Sequence, residues 1–453
     1  MNFFKALFLQ RAIYFVQSEP KQKGAVYMEN SGKEKRMLLD VHEKPFLIPG
    51  LLLSFQHVFA MFGATILVPL VLGLPVSTAL LASGVGTLIY MVVTQFKVPV
   101  YLGSSFAYIT AMSFAIDQMG GSIDAAQTGI MLVGLVYVVV AFIIHKIGSG
   151  WINKLFPPIV IGPMIVVIGL GLSATAVQNA GFVSGGDWRQ ILTAVVTFAV
   201  AVFVTCKGKG FAKVIPFLIA IIVGYIVAIL LGIVDLTPVH EASWFALPDI
   251  RLPFGNSPDR YNFYFGAEAL AIIPIAFVTI AEHMGDVMVL GEITGHDYIK
   301  KPGLDRTLAG DGIASLFSAF IGGPANTTYG ENTGVIGMTK VASISVIRNA
   351  AIIAIIISFL GKFTALISTI PQSVLGGMSI LLYGVIASNG LKVLISDRTD
   401  FNQSRNLIIA SAMLVIGLGG AVLEVGSALV ISGTALSAVV GIILNLVLPT
   451  EEK

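Results

Sequence analysis

Pro324-Ala325-Asn326-Thr327-Thr328-Tyr329-Gly330-Glu331-Asn332 interrupts the apolar second half of a 453-residue chain with a proline, two threonines and a Gly-Glu step. Proline and β-branched threonine favour extended backbone, whereas a glutamate just past a glycine suits the first turn of a helix. The segment is therefore predicted to be half strand and half helix. Val98-Pro99-Val100-Tyr101-Leu102-Gly103-Ser104-Ser105-Phe106, in the first half, has the same plan and turns helical at a Gly-Ser step. Both segments lie among apolar runs of roughly 20 residues, the length a helix needs to cross about 30 Å of hydrocarbon. At that depth an unmet amide costs several kcal/mol, so extended backbone must find a partner or line a wet cavity. The simplest solution pairs the two short strands antiparallel at the centre of the molecule. Their helices then aim two N-termini, with free N–H groups and partial positive charge, into one shared pocket.

Composition agrees with a membrane setting. Of the residues, 56% are hydrophobic and 11% charged, and the mean hydropathy is +0.89. A soluble chain needs far more charge to cover its surface, so no large soluble domain fits. The 48 glycines and 19 prolines fall largely inside apolar runs, where they allow close packing or deliberate breaks. The lone Cys206 excludes an intramolecular disulfide and reads as a packing residue. Fourteen transmembrane spans are expected, from Pro49 to a last one beginning near Leu429. An even number puts both termini on one side. Only Arg189, Arg251, Arg260 and Lys362 then fall in the opposite half, and the positive-inside rule assigns the termini to the cytoplasm. Residues 1–45 read as a cytoplasmic N-terminal tail without a signal-peptide cleavage site, and 46–449 as the membrane domain.

Internal repetition refines this plan. Pro157, Val160, Gly162 and Met164 reappear as Pro371, Val374, Gly376 and Met378, each 214 positions later, and the same offset carries the start of span one to that of span eight. Two seven-span repeats follow. An odd number of crossings inverts the second, which is a frequent plan of secondary transporters whose solute site lies near the midplane. The expected fold is thus an all-α membrane protein of two inverted seven-span repeats, with short antiparallel strands in spans 3 and 10.

Charged side chains inside spans are costly and so mark function. Ala281-Glu282-His283-Met284-Gly285-Asp286 sits in the apolar run from Phe265 to Leu290. Glu282 and Asp286 are one helical turn apart and share a face, with His283 on the flank. Two such carboxylates resist ionising together, which is what a proton carrier requires. Glu331 begins the second half-helix and faces a ligand in this reading. A pyrimidine such as uracil offers N–H donors and carbonyl acceptors along one planar edge. Glu282 and Glu331 would accept from the N–H groups, backbone amides near Phe106 and Gly330 would donate to the carbonyls, and Phe106 or Tyr329 would cover a ring face. Asp311 and Glu268 read as helix-terminal residues near the starts of spans nine and eight. Gln56 and His57 divide between packing hydrogen bonds and support for the acidic cluster. No phosphate loop, second zinc-binding histidine or nucleophile-base pair appears, so neither enzyme activity nor a cofactor is expected.

These residues resemble the bacterial uracil permeases of the nucleobase-ascorbate transporter family, over about Pro49 to Pro449. The likeness rests on Glu331-Asn332-Thr333-Gly334 with Thr339-Lys340, Gln56-His57 with Phe59-Ala60-Met61-Phe62-Gly63-Ala64, Tyr101-Leu102-Gly103-Ser104-Ser105-Phe106-Ala107, and Asn326-Thr327-Thr328-Tyr329-Gly330. It implies a core of spans 1–4 and 8–11, a gate of spans 5–7 and 12–14, proton symport and a homodimer in the inner membrane. It also implies uracil binding by Glu282 and Glu331, backbone contacts from Phe106 and Gly330, a pocket wall from Ala64 and Tyr329, and proton coupling through Glu282, His283, Asp286 and Glu331. Asp286 departs from the uracil pattern, where histidine is usual, and agrees with several purine carriers, which keeps xanthine or another base open as the solute. An anion carrier on the same fold would want a basic residue between the half-helices, and the sequence shows none there.

Overall fold

The ends of the helices follow from glycine, proline and polar punctuation of the apolar runs, and their order sets up the central ribbon. The computed structural model describes residues 37–213, 215–254, 260–425, 429–431 and 433–449. The first half comprises α1 (Leu47–Leu72), α2 (Val76–Val93), β1 (Leu102–Ser104), α3 (Ile109–Gln118), α4 (Asp124–Ile147), α5 (Pro158–Gly171), α6 (Trp188–Lys207) and α7 (Pro216–Leu230). The second half comprises α8 (Ile275–Thr294), α9 (Leu304–Phe320), β2 (Asn326–Thr328), α10 (Gly330–Thr339), α11 (Ile344–Ser358), α12 (Gln372–Ser396), α13 (Ser404–Leu418), the strand pair β3 (Leu423–Val425) and β4 (Leu429–Ile431), and α14 (Gly433–Val447). The β3/β4 pair was not expected, and it moves the start of the last helix from near Leu429 to Gly433.

Among the described residues, seven helices are long and apolar enough to cross a membrane. The pair of α11 and the short helix Gly361–Ser368, bent by 83°, makes an eighth if it is one span. Three more apolar helices, α7, α13 and α14, are shorter. Large apolar side chains such as Phe203, Leu230, Ile395 and Val415 point outward, as they must where the solvent is lipid. Cys206 is exposed as well and is no core-packing residue.

The expected ribbon is present. β1 pairs antiparallel with β2 in the register Leu102↔Thr328, Gly103↔Thr327 and Ser104↔Asn326. Backbone bonds from Ser105 to Ala325 (2.8 Å) and from Tyr329 to Tyr101 (3.1 Å) extend it at both ends. Two strands alone leave two bare edges, and side chains of flanking helices satisfy them. On the β1 side, Ser83 donates to the Leu102 carbonyl (2.6 Å) and the Leu102 amide donates to Thr87 (2.9 Å), both residues standing on α2. On the β2 side, Ser315 of α9 donates to the Asn326 carbonyl (2.9 Å), and the Asn326 side chain donates to Ala82 and Ala314 carbonyls at 3.2 Å each. A small polar side chain at each of these positions is therefore a structural requirement, since a buried unpaired amide costs about 1–3 kcal/mol.

Around the ribbon, α9 packs on α4 and α2, and α11 packs on α2 and α1. A second set of contacts joins α12 to α5 and α6, α6 to α7, and α13 to α14 and α5. Glycines let the backbones meet. A Cβ on Gly134 of α4 would lie 2.6 Å from the Gly312 carbonyl of α9, and one on Gly390 of α12 would lie 2.5 Å from the Gly162 carbonyl of α5.

Residues 37–44, expected to belong to a free tail, are instead bound. Leu38 donates to the Lys340 carbonyl (2.7 Å), Ala342 to Leu39 (2.8 Å) and Ile344 to Val41 (2.9 Å), while Asp40 meets His296 at 2.8 Å. Val41 is buried, and this segment straps the exit of α10 to the connection between α8 and α9. Residues 1–36, with the apolar stretch Ala6 to Val16, lie outside the described residues.

Gly103 carries the ring of Tyr329, and a Cβ there would stand 2.3 Å from it. Gly103→Ala should therefore overpack the ribbon by about 1–3 kcal/mol and lower the melting temperature of purified protein in detergent. An unchanged melting temperature would contradict this packing.

Candidate functional site

The ribbon delivers two helix N-termini to the centre of the molecule. β1 runs through a single 3-10 turn, Phe106–Tyr108, into α3, and β2 runs directly into α10. Because the strands are antiparallel, the helices leave in opposite directions from the two ends of the ribbon. Their first amides have no intrahelical acceptors. Around Gly330 and Gly334 of α10, and Gly285 of α8, a Cβ would meet nothing within 4 Å, so this backbone faces open space.

A cavity of about 390 Å³ adjoins α10. Its walls are Phe59, Ala60, Gly63 and Ala64 of α1, Glu331, Gly334 and Met338 of α10, the start of α7 with the turn before it, and Met378 and Leu382 of α12. That volume lies in the range of small-molecule sites, and the lining is apolar apart from two charges, Glu331 and Lys213. Glu331 stands in the first turn of α10. Lys213, which the sequence reading did not single out, shares this cavity with Glu331. It comes from the turn Gly210–Lys213 before α7, where loop sequence carries no periodicity to say which way a side chain faces.

α8 supplies the other acids. Glu282 is half-buried and lies within electrostatic reach of Asp286, Asp311 and Glu331, although it is not among the residues lining this cavity. Asp286 accepts a hydrogen bond of 2.6 Å from Thr328, which ties α8 to β2. His283 points away from both. Its ring nitrogen Nδ1 lies 3.0 Å from the Asp311 carboxylate, both side chains are buried, and Tyr90 packs edge-on with ring centroids 6.3 Å apart. Asp311 was read as a helix-terminal residue and is not. α9 begins at Leu304, so Asp311 stands two turns inside, facing His283. The run Lys300-Lys301-Pro302-Gly303 was the available signal that the helix starts earlier.

The remaining residues divide between cavity and scaffold. Ala64 lines the cavity and Phe106 lies half-buried at the start of the first half-helix. Tyr329, expected as a pocket wall, is 4% exposed. Its hydroxyl donates to the Ser104 carbonyl (2.9 Å) and accepts from Thr65 (3.2 Å), so it braces the ribbon from α1. His57 is buried, and its ring nitrogen and carbonyl meet the Asn332 amide group at 3.1 and 3.0 Å, linking α1 to α10. Glu268 stands in the first turn of the short helix Ala267–Leu270 and accepts from Tyr264 at 2.7 Å.

This geometry, a membrane cavity with an acid at a broken helix, agrees with the comparisons with known proteins. Residues 50–426 match the Permease family. The chain belongs to this family. Among similar members, the uracil permease of Bacillus caldolyticus is 50% identical over 91% of this chain and 95% of its own length. That of Bacillus subtilis (strain 168) is 45% identical over 93% and 97%, and that of Escherichia coli (strain K12) 41% over 91% and 94%. Solved structures share the fold at far lower identity. The transmembrane domain of the cyanobacterial bicarbonate transporter BicA gives a TM-score of 0.57 at 16% identity, over 88% of this chain and 96% of that one. Murine Slc26a9, an anion transporter in the inward-facing state, gives 0.65 at 11%, over 96% and 74%. As a permease the chain is a transporter and not an enzyme.

In this permease the Thr328–Asp286 bond joins the acidic helix to the ribbon. Thr328→Val keeps the shape and removes the donor, so it should cost about 1–3 kcal/mol. The expected readout is a lowered melting temperature in detergent, and a variant as stable as the parent would show that the bond carries no load.

Proposed function

We propose that this permease imports uracil together with protons across the cytoplasmic membrane by alternating access. The observation that carries the reading is Glu331. A carboxylate stands at the first turn of a half-helix, on the wall of a cavity of about 390 Å³, within electrostatic reach of Glu282. The names of relatives 41–50% identical over nine-tenths of the chain supply the solute. In this mechanism Glu282 and Glu331 accept from the two N–H groups of the ring, while amides at Phe106 and Gly330 donate to its carbonyls. Ala64 leaves room for the ring, and Tyr329 holds Ser104 and the ribbon in place beneath it.

The proton is held by the acidic group as a whole. Glu282, Asp286 and Glu331 interact electrostatically, so loading one with a proton eases the charge on the others. His283, through its contact with Asp311, sets the rear of this group. Spans 1–4 and 8–11 form a core that carries solute and proton, and spans 5–7 and 12–14 form the gate against which it moves. Homodimer formation through the gates, contact with membrane lipid, and both termini on the cytoplasmic side belong to the same reading.

Uptake of radiolabelled uracil into cells lacking their own permease should collapse when an uncoupler dissipates the proton gradient; uptake that persists would end the symport reading. Glu331→Gln should cut uptake at least tenfold, on the order of the 1.5–3 kcal/mol of a hydrogen bond to a charged group. Full activity in that variant would remove Glu331 from the site.

Asp286 favours a second reading, a purine base such as xanthine. Competition by unlabelled xanthine as strong as that by uracil would select it. Currents carried by chloride or sulfate would instead select an anion carrier.

A further inference from the structure

Lys213 is a charged side chain on the cavity wall to which the proposed transport cycle gives no task. It and Glu331 are the two charged residues lining that cavity, and they come from different walls, one from the turn before α7 and the other from α10. Among the described residues, no carboxylate lies within ion-pair distance of Lys213. The other titratable groups around Glu331 are of its own sign or already engaged. Glu282 and Asp286 are acids within its electrostatic reach, and His283 is committed to Asp311. Lys213 is exposed here, so it shares the cavity with Glu331 without pairing to it, and the otherwise apolar lining would strengthen such a pair once the cavity closes over it.

We propose that Lys213 is the counter-charge of Glu331 in the emptied permease. This rests on the proton-coupled reading above. When solute and proton have left toward the cytoplasm, Glu331 is ionised, and closing an apolar cavity over a lone carboxylate is costly. The ammonium of Lys213, on a flexible four-carbon stem, swings onto Glu331 and lets the empty cavity close as a neutral pair. When a proton or a solute N–H occupies Glu331, the lysine is released. Lys213 is thus a positioning residue for the return step and does not grip the solute.

Net uptake needs the emptied permease to return, whereas exchange of labelled for unlabelled uracil cycles only the loaded form, so the ratio of the two isolates the return step. Both are measured in the same proteoliposomes for the parent, Lys213→Met and Lys213→Arg. The expected result is a ratio of net uptake to exchange that falls tenfold or more in Lys213→Met and returns to within about threefold of the parent in Lys213→Arg. An equal loss of both rates, an unchanged ratio, or an arginine variant as impaired as the methionine one would overturn the proposal. Exchange in the same vesicles reports on folding. Uncoupler-insensitive uptake by the parent would reject proton coupling itself, separately from any effect of Lys213.

Discussion

Three residue pairs of antiparallel strand, buried in the middle of an apolar helix bundle, are the constraint on which the rest depends. A two-stranded ribbon cannot satisfy its own outer edges, and lipid offers no water to do so. Ser83 and Thr87 on α2, and Ser315 on α9, meet those edges, with Asn326 reaching carbonyls of both helices. Tyr329 locks the ribbon to α1 through Ser104 and Thr65, and Thr328 locks it to α8 through Asp286. Once these bonds are made, neither broken span can shift without exposing several polar groups together.

The chemistry of the site follows from the same constraint. Breaking two spans at the ribbon exposes two helix N-termini at the centre, and it obliges α8, with its acids, to pack beside the second one. A Cβ at Gly285, Gly330 or Gly334 would meet nothing within 4 Å, and of these Gly334 lines the cavity. The acids are thereby gathered from three helices, α8, α9 and α10, into one electrostatically connected group. The permease thus reuses backbone that the fold had to satisfy anyway as the frame of the proposed site.

Much of this was legible in local chemistry. The proline- and threonine-rich interruptions at Val98–Phe106 and Pro324–Asn332 announced extended backbone, and burial left mutual pairing as their simplest outcome. The spacing of Glu282 and Asp286 announced a shared helix face, and the Gly-Glu step placed Glu331 at a helix start. What failed were assignments that depended on a neighbour far along the chain. Asp311 read as a terminal residue because nothing local revealed that His283 stood opposite. Nor did anything local reveal that Ser104 and Thr65 surround the hydroxyl of Tyr329. Leu39, Val41 and the strap they form looked like a tail because their partners lie three hundred residues away.

By itself, the order of residues determined that the chain spans a membrane repeatedly, that two spans break in corresponding halves, and that acids stand where the breaks occur. Hydropathy, backbone preference and helix period are properties of neighbouring residues, and those conclusions need nothing more. Tertiary structure alone decided which walls enclose the cavity, that Lys213 shares it with Glu331, and that His283 turns away from the site toward Asp311. These are juxtapositions of side chains carried by separate helices, and only the packing of those helices sets the distances between them.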